Sequence, residues 1–173
     1  MIPVGYIAKR VEKSADWLSA PNLSDINSVS VCISDGYADF IDHWRHNAYW
    51  LFDNPEIIRQ IAVQNSIHLD ATQLFYYTVH EYQFNQSAKA WESFAPEPSC
   101  GLNVEEPASA LLEGFDILSF AGSTGPECSP RSCNGLVQET PTNRHCLLAS
   151  LEEALNLLER GRLVNCEPGP YRV

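Results

Sequence analysis

No stretch of this chain is apolar for long enough to cross a bilayer as a helix, which takes about 20 residues. Its first residues, MIPVGYIAKRVEKSADWL, lack the cationic segment, apolar core and small-residue cleavage site of a secretory leader. Basic residues are scarce. Eleven Lys and Arg stand against twenty-two Asp and Glu, a formal charge of −11, and the densest basic group is Lys9, Arg10 and Lys13. Nucleic-acid binding rests on clustered cations that neutralise phosphates, so that class of partner is disfavoured. Walker, Rossmann, nucleophile-elbow, zincin and kinase motifs are missing, and GSTGP at 122–126 lacks the lysine of a phosphate loop. Neither an internal repeat nor a low-complexity tract is evident. These absences point to a cytoplasmic protein without membrane or nucleic-acid partners.

What is present is enough for a core: 173 residues with 45% hydrophobic content read as one compact domain over 1–173. The expected class is α+β, a mostly antiparallel sheet with three to four helices packed on it. Alternation predicts strands over Pro3–Val11 and Asn27–Ile33. A 3.6-residue period predicts a helix of about ten residues from Tyr37. The next helix is capped by Asn54, opened by Pro55, striped by Ile57, Ile58, Ile61 and Ala62, and closed near Asn65. Aromatic and β-branched residues make Leu74–Phe84 a single strand, with a hairpin loop near 85–89 and a return strand over 90–94. A Pro/Glu-rich loop at about 96–110 follows, then a strand over Phe115–Ala121 and a neighbour starting at about Cys146. Ser150 with Glu153 forms a capping box for a last helix that stops at Gly161. The terminal CEPGPYRV reads as a turn into a final strand.

Four of the six cysteines fall in the last third: Cys128, Cys133, Cys146 and Cys166, with His145 beside the third. Cys128 and Cys133 have four residues between them, at the edge of the zinc-knuckle spacing of about two to four. Cys146 or His145, with Cys166, would complete a tetrahedral set, though a whole helix separates Cys146 from Cys166. Ordinary thiols are the competing reading, since a reducing compartment disfavours disulfides. Cys133 alone suggests a nucleophile. A helix opened by Ser129 and Pro130 would place it in the first turn, where unsatisfied amides favour a thiolate. His145 with Asn143 or Asp116 supplies the residue types of a base and its orienting group. Asp39, His43 and His46, at i, i+4 and i+7, share a helix face able to bind zinc or iron, unless that face is merely solvated.

Aromatic residues crowd 49–94, more than one face of an alternating strand can bury. Exposed Tyr76, Tyr82 and Trp91 would then serve as binding anchors, because such rings give large contact area at low entropic cost. The expectation is therefore a small acidic protein that binds another, possibly basic, protein in the manner of an inhibitor or immunity protein, with no cofactor. The alternative is an enzyme or metal-stabilised protein built on the C-terminal Cys/His cluster, by thiol chemistry or with zinc.

Overall fold

The computed structural model of the chain describes residues 1–11, 18, 22–30, 47, 49–70, 72–93, 103–119, 129–130, 138–166 and 168–173. Among these residues lie two helices and two antiparallel sheets, which corrects the expectation of three to four helices on one sheet. The helix expected from Tyr37 lies outside the described residues, as does, from residue 131 on, the one expected to open at Pro130 and to hold Cys133. The first sheet pairs β1 (Ile2–Arg10) with β2 (Thr72–Val79), Ile2 opposite Val79 and Arg10 opposite Thr72. The second has the order β4 (Ala90–Ser93), β3 (Tyr82–Asn85), β6 (Tyr171–Arg172), β5 (Leu118–Ser119).

Two sheets replace one because the aromatic run Leu74–Phe84 breaks at His80 and Glu81. The Tyr82 amide donates to His80 Nδ1 at 3.3 Å, a local side-chain bond that competes with the ladder, and the His80 amide donates to the Val173 carbonyl at 2.8 Å. The stretch expected as a strand from Asn27 also departs from a ladder over 27–30. Its carbonyl groups are claimed by side chains: Lys9 Nζ donates to Ile26 O at 3.0 Å and Ser28 O at 2.7 Å, and Tyr77 Oη donates to Asn27 O at 3.0 Å. Lys9 is fully buried there, its ammonium 5.0 Å from the centre of the Phe75 ring.

Helices α1 (Pro55–Asn65) and α2 (Leu151–Glu159) follow their sequence punctuation. Asn54 Oδ1 accepts from the Ile57 amide at 3.1 Å, and Ser150 Oγ accepts from the Glu153 amide at 3.2 Å. Each satisfies a donor that the helix start leaves without an intrahelical partner. Ile58, Ile61 and Ala62 bury α1 against β1 and β2; Ala154 and Leu158 bury α2 with Phe84, Ile117 and Tyr171.

The chain contains a duplication that the sequence reading missed. In each half a glycine, Gly5 on β1 and Gly114 four residues before β5, sits against a tight turn, and the turn leads into the capped helix. Gly5 has φ +133°, and an added Cβ would lie 2.8 Å from Leu51 Cβ, 2.8 Å from Phe52 O and 3.1 Å from Asn47 Nδ2. Gly114 has φ +149°, and the same atom would lie 2.7 Å from Leu147 Cβ, 2.7 Å from Leu148 O and 3.1 Å from Asn143 Nδ2. Asn47 donates from Nδ2 to Val4 O at 2.8 Å and accepts from the Tyr49 amide at 2.9 Å; Asn143 donates to Glu113 O at 2.7 Å and accepts from the His145 amide at 2.9 Å. Trp50 and Cys146 take the same left-handed conformation, φ 60° and 61°. Tyr6 bridges Phe52 as Phe115 bridges Leu148. After each helix the chain returns antiparallel to its own first strand, β2 beside β1 and β6 beside β5.

Candidate functional site

Residues 103–117 hold no helix or strand, and they connect the two halves. On one side this strap is pinned to the first turn: the Glu105 amide donates to Asp53 O at 3.1 Å, and Tyr6 Oη donates to Glu105 O. On the other side the Glu113 carbonyl accepts from Asn143 of the second turn. Leu111 and Leu112, between the pins, are 81% and 72% exposed.

Between the strap and β2 runs a groove of about 610 Å³, within the range typical of ligand sites. Its aromatic part is built by Tyr6, Phe75, Tyr76, Tyr77 and Phe115, with the Tyr6 and Tyr76 rings 5.0 Å apart. Met1 and Leu74, 50% and 51% exposed, join Leu111 and Leu112 among its lining residues. Glu113 and Asp116 line it as well, and among the described residues none that lines it is Lys or Arg. Burial, then the charges of Tyr76, Glu105 and Glu106, push the Tyr6 phenol up; burial and Glu106 do the same to Tyr76. Both phenols are therefore neutral donors at physiological pH.

At one side of the groove His145 is held between carboxylates. Its Nδ1 meets Asp25 Oδ1, and its Nε2 lies 3.2 Å from Glu113 Oε2 and 3.0 Å from Arg144 Nε. The two Nε2 contacts belong to different proton arrangements: Arg144 donates to a neutral ring, whereas Glu113 accepts from a protonated one. This imidazole ties residues 23–27 to the second turn and to the strap, and Nε2 is occupied by charged groups.

The structure separates the other sequence candidates. Asn143 is the buckle of the second turn, and its bond to His145 is to the backbone amide. Asp116 Oδ1 accepts from Ser129 Oγ at 3.0 Å and from the Ile117 amide at 2.8 Å. Cys146 packs with Leu18 and Ile26, whereas Cys166 packs against the cluster around Tyr171. Among the described residues no three His, Cys, Asp or Glu side chains are placed to hold a metal ion. Cys128, Cys133, Asp39, His43 and His46 lie outside the described residues. Of the aromatic anchors, Tyr76 is in the groove. Tyr82 and Trp91 belong to the second sheet, where the Trp91 ring meets Phe84 at 5.1 Å and His80 at 5.7 Å and its Nε1 donates to Glu159 at 2.9 Å.

Comparison with protein families, curated proteins and solved structures finds no match. The site is therefore read from its own chemistry. Its apolar rim escaped the sequence reading because Met1, Leu74, Leu111 and Leu112 belong to three separate segments; the paired leucines just after the Pro/Glu-rich stretch were the one local signal. Among the described residues no helix is long and apolar enough to cross a membrane.

Proposed function

We propose that the protein works by binding another protein, taking an apolar, basic segment of it into the groove between β2 and the strap. The observation that carries this reading is the concentration of exposed apolar side chains. Of the seven large hydrophobic residues exposed among those described, Met1, Leu74, Leu111 and Leu112 share one concavity. Exposed apolar surface gathered in one place, rather than scattered singly, marks interaction sites. Charge supports the basic partner: the groove carries Glu113 and Asp116, with Glu105 and Glu106 at the pinned end of the strap, on a chain of net charge −11. Such a field speeds encounter with a cationic surface and rejects acidic ones. An acidic cytoplasmic protein presenting this groove suits an inhibitor or immunity-type role, with no cofactor required.

A photoreactive side chain at Leu112, compared with one at the exposed Val63 on α1, tests the reading. Crosslinks should form at Leu112 to an apolar, basic segment and disappear in the Leu111→Ser/Leu74→Ser background. Equal crosslinking from Val63, or none from Leu112, would overturn it.

A further inference from the structure

We propose that the docked segment binds as an extended strand, hydrogen-bonded antiparallel along the free edge of β2, so that the first sheet gains a third strand from the partner. The inference deepens the docking reading and rests on it.

Six consecutive residues of β2, Gln73 to Thr78, line the groove. Neighbouring side chains on a strand point to opposite faces, so a groove that touches all six runs along the edge of the strand rather than over one face. That edge is open. Among the described residues β1 is the one ladder partner of β2. The direction of the β2 backbone follows from Tyr6, which lies opposite Tyr76. The Tyr6 amide donates to Phe52 O at 2.7 Å and its carbonyl accepts from the Phe52 amide at 2.9 Å, both on the side away from β2. Tyr6 and Tyr76 are therefore a non-hydrogen-bonded pair, and the N–H and C=O of Tyr76 point away from β1. By alternation those of Leu74 and Thr78 do the same. Among the described residues no hydrogen bond meets these three backbones. β2, with the sequence TQLFYYTV, carries neither the charges nor the proline that blunt natural edges against pairing.

The second half of the duplication shows what such an edge accepts. β6 returns beside β5 as β2 returns beside β1, and the far edge of β6 is taken by β3, antiparallel, with Phe84 opposite Tyr171. The equivalent place beside β2 is the groove. Its occupant is a segment of another protein rather than a second copy of this chain. Two copies joined edge to edge would set chains of net charge −11 against each other, and β2 brings no cation to Glu113 and Asp116. A strand alternating apolar and basic residues suits the site better: main-chain bonds to the edge supply affinity, and the two faces sort the side chains.

The test uses a peptide of alternating leucine and lysine with the nitrogen-15-labelled full chain, and reads hydrogen exchange amide by amide. At saturating peptide the amides of Leu74 and Tyr76 should exchange at least about tenfold more slowly than in the free protein. Phe75, whose amide already faces β1, should change far less. Leu74→Pro removes an outward amide without touching the ladder, and it should weaken binding at least about fivefold more than Leu74→Ala does. Unchanged exchange at Leu74 and Tyr76 despite binding, or equal losses in the two variants, would overturn the added strand and leave the docking groove standing. Absence of binding would overturn both. Slowing that grows with protein concentration in the absence of peptide would assign the edge to a second copy and overturn the choice of partner.

Discussion

Replacing Asn143 by alanine removes the buckle of the second turn. Three hydrogen bonds go with it: Nδ2 to Glu113 O at 2.7 Å, and Oδ1 from the amides of His145 at 2.9 Å and Leu147 at 3.1 Å. A protein hydrogen bond contributes about 1 kcal/mol net, so the loss should be about 3 kcal/mol. For a chain of this size each kcal/mol moves the thermal midpoint by about 2–4 °C, giving a fall of about 6–12 °C. Asn143→Asp keeps both accepted bonds and loses the donated one, so its midpoint should lie between wild type and alanine. Asn47→Ala strips the equivalent contacts to Val4, Tyr49 and Leu51 from the first turn, and a further one to Asp53, and should cost at least as much. Thermal unfolding followed by circular dichroism reads all three variants. A fall smaller than about 2 °C for Asn143→Ala would refute the claim that this side chain holds the strap to the second half.

Gly114→Ala should be costly for two reasons, a positive φ and contacts of 2.7 Å with Leu147 Cβ and Leu148 O; on the order of 2 to 5 kcal/mol should be lost in urea unfolding. Gly5→Ala should behave alike, and a large difference between the two would argue against equivalent halves. Because the folded chain raises the Tyr6 and Tyr76 phenols, it holds those protons more tightly than the unfolded chain does. Their contribution is complete below about pH 10, the ordinary tyrosine value, and is lost as pH rises through the raised values. The urea midpoint should therefore fall at strongly alkaline pH, less so in Tyr76→Phe, and a midpoint that rose there would contradict the burial of these groups.

How much of this was legible in the sequence depends on how local each determinant is. The two helix caps were readable because one side chain and one amide three residues on decide them: Asn54 with Ile57, Ser150 with Glu153. The hairpin between β3 and β4 was readable for the same reason, a polar turn between apolar runs. The duplication was not. Its anchors reduce to Gly5 and Gly114, Asn47 and Asn143, Leu51 and Leu147, and the glycine-to-asparagine separations are 42 and 29 residues. Few identities at unequal spacing carry no periodic signal, whereas the shared geometry is evident in space. The split at His80 and the capture of three carbonyls by Lys9 and Tyr77 are tertiary events that override strand propensity. The cysteines drew the eye because soft ligands suggest chemistry, yet Cys146 and Cys166 fill places in two different apolar clusters. Asp25 and Glu113 drew none, because their meaning comes from a fold that brings both to His145, 120 and 32 positions along the chain.

The docking claim is tested most directly by titrating the nitrogen-15-labelled protein with the leucine–lysine peptide and mapping which backbone amides shift. The account expects the shifts to centre on Leu74, Tyr76, Leu111, Leu112, Glu113 and Phe115, along the groove. Shifts centred instead on Tyr82 and Trp91 of the second sheet, or no shifts at saturating peptide, would contradict it.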